Sequence, residues 1–332
     1  MRSIILFFGI TCIVNAINAQ SVVLLNAATK SSFRGLSVVN NKIIWVSGSN
    51  GTIGKSLDGG IVWQWFLVPG YEKTDFRDIE AFDDKNAVIM GIDNPAVLLK
   101  TNNGGESWTL VFHDTTKGMF LDAMDFFDKK HGVVIGDPMQ NKFFKAITSD
   151  GGNTWKSVFF DNRPLADSAE ACFASSGTNI KKLNKREDVF ISGGLSSNLF
   201  IKNKKIKIPI LQGTESAGSN SVAYKNNKYF IIVGGDFTKK NDSVENIAIT
   251  NNCGKSWIKS TIPPHGYRSC IEHIANKHWI TCGLNGVDIS KDDGISFSKI
   301  SDIGFHVCKK AKHGDAVFFA GGGGKIGKLI IH

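Results

Sequence analysis

After residue 19 the chain has no uninterrupted apolar run long enough to cross a bilayer as a helix, so a membrane-spanning protein is not expected. It has six cysteines but no Cys-x-x-Cys, which leaves neither a thioredoxin-like redox pair nor a cysteine-type zinc site. Its eight histidines never fall at His-x-x-x-His spacing, and no metal is expected. No Gly-x-Gly-x-x-Gly turn joins a strand to a helix, since Gly321 to Gly324 precede a strand; no nucleotide or other cofactor is expected. An arginine-rich arm and a basic stripe interleaved with aromatics are also missing. The formal net charge of +9 therefore reads as a solvated basic surface, with no nucleic-acid partner.

What is present begins with an export signature. Met1-Arg2-Ser3 leads into the apolar run Ile4 to Val14, and Asn15 to Ala19 supplies small residues suited to cleavage after Ala19 or Ala16. Residues 1–19 are thus expected to be a signal peptide, placing the mature chain in the periplasm or outside the cell. Cys12 would leave with it, and Cys172, Cys253, Cys270, Cys282 and Cys308 remain. An odd number leaves at least one free thiol, so buried thiols with at most one or two bridges are expected.

The pattern that organises the rest is Ser56-Leu57-Asp58-Gly59-Gly60-Ile61-Val62-Trp63. It returns as Thr101 to Trp108, with Asn103 in the Asp position, and as Thr148 to Trp155, with Asp150. Two weaker copies follow, Thr250 to Trp257 around Asn252 and Ser290 to Phe297 around Asp292. The shared rule is Ser/Thr-x-Asp/Asn-x-Gly-x-x-aromatic. Asp or Asn accepts from backbone amides further along, Gly takes the positive φ of a tight turn, and the aromatic packs back over it. Asp58, Asn103, Asp150, Asn252 and Asp292, with Trp63, Trp108, Trp155 and Trp257, are therefore read as structural turn residues.

The copies recur at about 45 residues, with one missing near Ser197, giving seven units: the period of a β-propeller blade. Seven short apolar strands ending in Gly support the count, among them Ile43 to Gly48, Ala87 to Gly91 and Phe230 to Gly234. The last unit stops one strand short, at Gly327 to Ile331, while Ser21 to Asn26 is a strand without a unit. Pairing the two would close the ring and remove its open edges. The expectation is an all-β chain, with residues 20–332 forming one seven-bladed propeller whose last blade is closed by the N-terminal strand. The least regular stretch is Arg163 to Arg186.

In each unit the strand before the Gly-terminated one should be innermost. Those segments start at Phe33, Phe76, Phe120, Ala169, Ser219, Tyr267 and Phe305. Their polar members Arg34, Arg77, Asp78, Asp122, Glu170, Asn220, Arg268 and His306 are expected at or near one channel mouth, where every blade contributes and a ligand would bind. Asp78, Asp122 and Glu170 also suit the paired carboxylates of a glycoside hydrolase, the competing reading. Phe33-Arg34-Gly35-Leu36 departs from the sialidase Phe-Arg-Ile-Pro, and no separate blade offers a tyrosine. The basic runs at Lys181 to Arg186 and Lys202 to Lys207 read as loop and edge lysines that deter sheet-to-sheet pairing.

The three full turns and the Phe33-Arg34 and Phe76-Arg77 segments resemble the BNR/Asp-box propellers, in particular exported seven-bladed proteins similar to the photosystem II stability and assembly factor. The resemblance spans the mature chain and implies a non-enzymatic binding or assembly scaffold. In the photosynthetic members an arginine-rich face is implied to hold a membrane-protein partner, a part that Arg34, Arg77 and Arg268 could play. The expected partner is a protein or a glycan of the cell envelope.

Overall fold

Seven antiparallel sheets arranged as successive blades make up the computed structural model, which describes residues 20–331 other than 93, 94 and 203. The expected signal segment lies outside the described residues. Blades 1 to 3 start with the inner strands Phe33–Val38, Phe76–Ala81 and Leu121–Phe126. Blades 4 to 7 start with Ile180–Lys182, Ala217–Asn226, Cys270–Ala275 and Val307–Lys310. Among the described residues, helix is confined to two three-residue 3-10 turns, Phe160–Asn162 and Gly322–Gly324. The chain is a seven-bladed β-propeller.

The second strand of each blade is sandwiched between its neighbours, which is why it is apolar on both faces. All five residues of Ala87–Gly91 are buried, and Val88 and Met90 share a core with Leu121, Val134 and Phe144 of the next blade. The glycine that ends this strand is steric. The inner strand bulges opposite it, between Leu121 and Ala123 in blade 3. A Cβ on Gly136 would overlap the Phe120 carbonyl oxygen, and one on Gly283 the carbonyl of Tyr267.

The ring closes as the sequence suggested. Gln20–Leu25 pairs antiparallel with Ile326–Ile331 and becomes the outermost strand of blade 7. The five signature turns join third to fourth strands and share one geometry, including the two that look degraded. Ser56 Oγ accepts from Gly60 N at 2.9 Å while Asp58 Oδ1 accepts from Ile61 and Val62 N at 3.0 Å. Thr250 with Asn252, and Ser290 with Asp292, reproduce these bonds. Cys253 and Asp293 take the left-handed backbone, at φ 60 and 62, that glycine takes in the full copies. Each turn also leans on the preceding blade: the second glycine, Gly105, lies against Trp45 and Phe66 of blade 1. The turns therefore weld blades as well as shaping hairpins.

One assignment is corrected. Ala169 to Cys172 is not the inner strand of blade 4. Glu170–Ala171 pairs with Gly193–Gly194 at the edge of the blade 5 sheet, and Ile180–Lys182 occupies the inner position. The repeat period cannot detect this, because the chain spends the intervening residues on a crossing described below. The five described cysteines are all free thiols, four of them buried, and no bridge forms among them.

Candidate functional site

Around the channel, side chains of one inner strand cap amides of the next. Ser37 Oγ accepts from Ala81 N, Asp78 Oδ2 from Met124 N at 2.7 Å, and Asp125 Oδ2 from Lys182 N at 2.7 Å. Ser221 Oγ accepts from Ile271 N at 3.0 Å, and Glu272 Oε1 from Lys310 N at 3.4 Å. Inner-strand polar residues thus lock neighbouring blades at the axis, where no further strand can supply the missing bonds.

The irregular segment fills the channel. Residues 173–179 leave blade 3 and touch Arg34 of blade 1, Asp78 of blade 2, Asn220 and Ser221 of blade 5 and Ser269 before blade 6. Ser176 Oγ donates to Ser269 O at 2.7 Å and Thr178 Oγ1 to Ser221 Oγ at 2.7 Å, and both residues are buried. Contacts on opposite sides of the ring mean that the segment crosses the axis. A Cβ on Gly177 would strike the Asp78 carboxyl, so glycine permits the crossing.

The crossing divides the channel into two mouths. At the end where inner strands begin lies a cavity of about 470 Å³. Arg34, Arg77, Asn220 and His306 of the eight expected residues line it, with Asp137, Glu215 and the rings of Phe120, Phe173, Phe237 and Tyr267. Arg34 is mostly enclosed, yet its only described hydrogen bond is from Nη1 to Ser175 O at 3.5 Å. Burial, and then the charge of Arg77, lower its pKa. Arg77 is tied to Asp75 at 2.8 Å and lies over the Phe120 ring. Asn220 Oδ1 accepts from both Ser175 Oγ and Tyr267 Oη at 2.8 Å, holding the crossing segment and the aromatic wall. His306 Nδ1 meets Phe33 O at 3.0 Å; burial and the neighbouring cations Arg34, Lys325 and Arg77 pull its pKa down to about 4, so it is neutral at pH 7.

The other four expected residues do not line this cavity. Asp78 is buried and spent on the amides of Met124 and Ile79, and burial lifts its pKa to about 7. Asp122 is fully buried beneath the mouth with neither carboxyl oxygen bonded; burial and the nearby Asp137 push its pKa well above the usual carboxylate range. Glu170 turns outward between blades, to Ser192 Oγ, Asn198 Nδ2 and Lys205 Nζ. Arg268 has no exposed side-chain surface and is consumed by Asp288, Asn285 and the carbonyls of Tyr267 and His265. The reasons differ: Asp78 and Asp122 sit at bulges that turn them away from the cavity, Arg268 precedes its strand and is drawn to the buried Asp288, and Glu170 lies on the edge of the blade 5 sheet.

Four mouth residues with charge or a ring escaped the sequence reading. Asp137, with a pKa raised by burial to about 6, Glu215, Phe173 and Phe237 come from outside the inner strands. Asp137 follows Gly136, the glycine that faces the bulge of the inner strand, and that position was the available signal.

The opposite mouth, about 670 Å³, is lined by the far ends of inner strands. Two ion pairs span it: Lys181 pairs with Asp125 at 3.2 Å and Lys312 with Glu80 at 2.6 Å.

The profile of the family described as Photosynthesis system II assembly factor YCF48 matches residues 15–117. Similar solved structures include YCF48 bound to D1 peptide, 16% identical, with TM-score 0.68 over 95% of this chain and 96% of that one. YCF48 from Cyanidioschyzon merolae is 15% identical, with TM-score 0.64 over 93% and 98%. The chain is a seven-bladed β-propeller with Asp-box turns, and its residues 15–117 are similar to the YCF48 assembly factors. Shape alone reaches further than that resemblance. The WD40 propeller of Doa1, 14% identical, has TM-score 0.65 over 95% of this chain and 97% of that one. No curated protein matches the chain by sequence. Among the described residues no helix is long and apolar enough to cross a membrane, and no group of metal-ligating side chains is assembled.

Proposed function

We propose that this protein is a non-enzymatic scaffold that binds an extended protein segment at the Arg34 mouth, and that it does so after export. The observation that carries the reading is the bare guanidinium of Arg34. It is enclosed beside Arg77 with one long hydrogen bond, in a cavity walled by four aromatic rings. A desolvated cation with unused donors is stabilised by a carboxylate, and the rings would take an adjoining apolar side chain. A similar propeller that carries a D1 peptide supports a peptide as the ligand class.

A glycosidase reading finds less support. Asp78, Asp122 and Glu170 face three different surroundings, so the two carboxylates that such hydrolysis needs do not meet.

The test is capture of envelope proteins by the intact mature chain carrying a photo-crosslinking residue at Leu284, followed by peptide mapping. Binding of the mapped segment should weaken roughly 10- to 100-fold in Arg34→Met. Turnover of a panel of fluorogenic glycosides, or capture unchanged by Arg34→Met, would overturn the proposal. Export is checked by the N-terminal mass of the protein recovered from its native cell, expected to start at Gln20.

A further inference from the structure

The groove between blades 3 and 4 is built differently from the other blade junctions. Blade 3 ends in an outer strand of only two residues, Lys156–Ser157, where Gln64–Leu67 or Thr109–Asp114 serve in blades 1 and 2. The chain then makes the 3-10 turn Phe160–Asn162 and runs along the blade's flank, held by Phe143 N to Pro164 O and Ala166 N to Asn141 O. Blade 4, which lacks the signature turn, forms the facing wall. Between them lies a groove of about 720 Å³.

Its floor is apolar and rigid. Phe190 and Phe200 stack at 4.3 Å and 2°, with Phe143 edge-on to both. Its rim carries apolar groups in water: Leu165 is 62% exposed, and Phe159 just beyond is 83% exposed. Six cationic side chains line the groove against two carboxylates, Glu187 and Asp188. Lys145 and Lys205 are neutralised, by Asp188 and by Asp167 with Glu170. Arg186, Lys202 and Lys204 are exposed and have no acidic partner among the described residues, while Arg163 gives its Nε to Val158 O, lies over the Phe144 ring and feels the charge of Asp114. Lysines that merely protect a sheet edge need neither a concave apolar floor nor an arginine on the opposite wall.

We infer that this groove is a second docking surface, separate from the Arg34 mouth, for an acidic segment of a partner protein that inserts an apolar side chain against Leu165 and Phe200. Charge complementarity fixes the sign of the partner, because the groove carries six cations against two carboxylates. The concave floor fixes its shape. A membrane surface cannot reach Phe200 at the bottom of a groove. The mouth reading is independent of this one.

The probe is a fluorescein-labelled peptide of alternating Glu and Ser with a central Phe, titrated into the intact chain at low salt. Expected is saturable binding that weakens at least roughly tenfold when Phe becomes Ser, when the Glu residues become Gln, or in Arg186→Glu/Lys202→Glu/Lys204→Glu. Arg34→Met should leave it unchanged, which separates this surface from the mouth. Because the triple variant changes only exposed side chains, an unaltered thermal midpoint confirms that it is folded. The proposal is overturned if the peptide does not bind, or if binding survives the triple variant. It is equally overturned if phosphatidylglycerol vesicles or oligo-dT bind as well and compete.

Discussion

The two ends of the channel are built from the same seven inner strands, yet they treat charge in opposite ways. At the far end two ion pairs span the mouth, Lys181 with Asp125 and Lys312 with Glu80. At the near end Arg34 is enclosed with one hydrogen bond of 3.5 Å, and Asp75, the acid whose charge reaches it, is already paired with Arg77. The difference teaches how stability and binding can be separated. Paired charges hold the far mouth together; the unpaired Arg34 is the group that the proposed ligand would answer.

Substitutions that measure stability break or sharpen that contrast. The largest effect is expected from Arg268→Ala. This arginine was grouped with Arg34 by sequence, but its loss would strand Asp288 fully buried, at a cost of about 3–5 kcal/mol in urea unfolding. A change below 1 kcal/mol would place it with the ligand-facing residues after all. Next comes Lys181→Met at the far mouth. It leaves Asp125 unanswered in a site partly open to water, and about 1–3 kcal/mol should be lost with capture of the peptide partner unaffected.

His306→Asn is a smaller change, read as pH dependence. The folded pKa of about 4 lies below the unfolded value, so the unfolded chain binds more protons between about pH 4 and 6.5. His306 therefore contributes stability that is fully present above pH 6.5 and lost as pH falls towards 4. Asp78 and Asp137, raised to about 7 and about 6, act with the opposite sign: they favour the folded state at low pH and lose that contribution as pH rises through the same window. Removing His306 should make the slope of stability against pH more negative there, and an unchanged slope would show that it titrates normally.

The smallest stability effect is expected from Arg34→Met, within about 1 kcal/mol of the parent, since a poorly bonded enclosed cation is replaced by an apolar chain of similar length. A loss like that of Arg268 would make Arg34 a structural residue and remove the contrast between the mouths.

Much of the architecture was legible because it is periodic. The turns at Asp58, Asn103 and Asp150, the glycines that end second strands, and the unpaired N-terminal strand each encode a local or nearest-neighbour constraint, and these fixed seven blades and their closure. The candidate site was legible only in part. Arg34, Arg77, Asn220 and His306 line the near mouth as expected from strand position, whereas Asp78 turns to Met124 and Arg268 to Asp288. At Asp78 the choice depends on a bulge in the inner strand, where one extra residue redirects a side chain without altering the hydrophobic pattern, and at Arg268 on the buried Asp288 that meets it from the same blade.

What the sequence by itself determined is therefore the repeat: blade number, turn chemistry and ring closure, all set by short-range sterics and hydrogen bonding written into every unit. Only the tertiary structure decided that residues 173–179 cross the axis, that the channel has two unlike mouths, and that Arg34 is left bare where Arg268 is consumed. The crossing rests on contacts between residues 93 and 141 positions apart, made once at the centre of the ring, and a feature made once leaves no periodic trace.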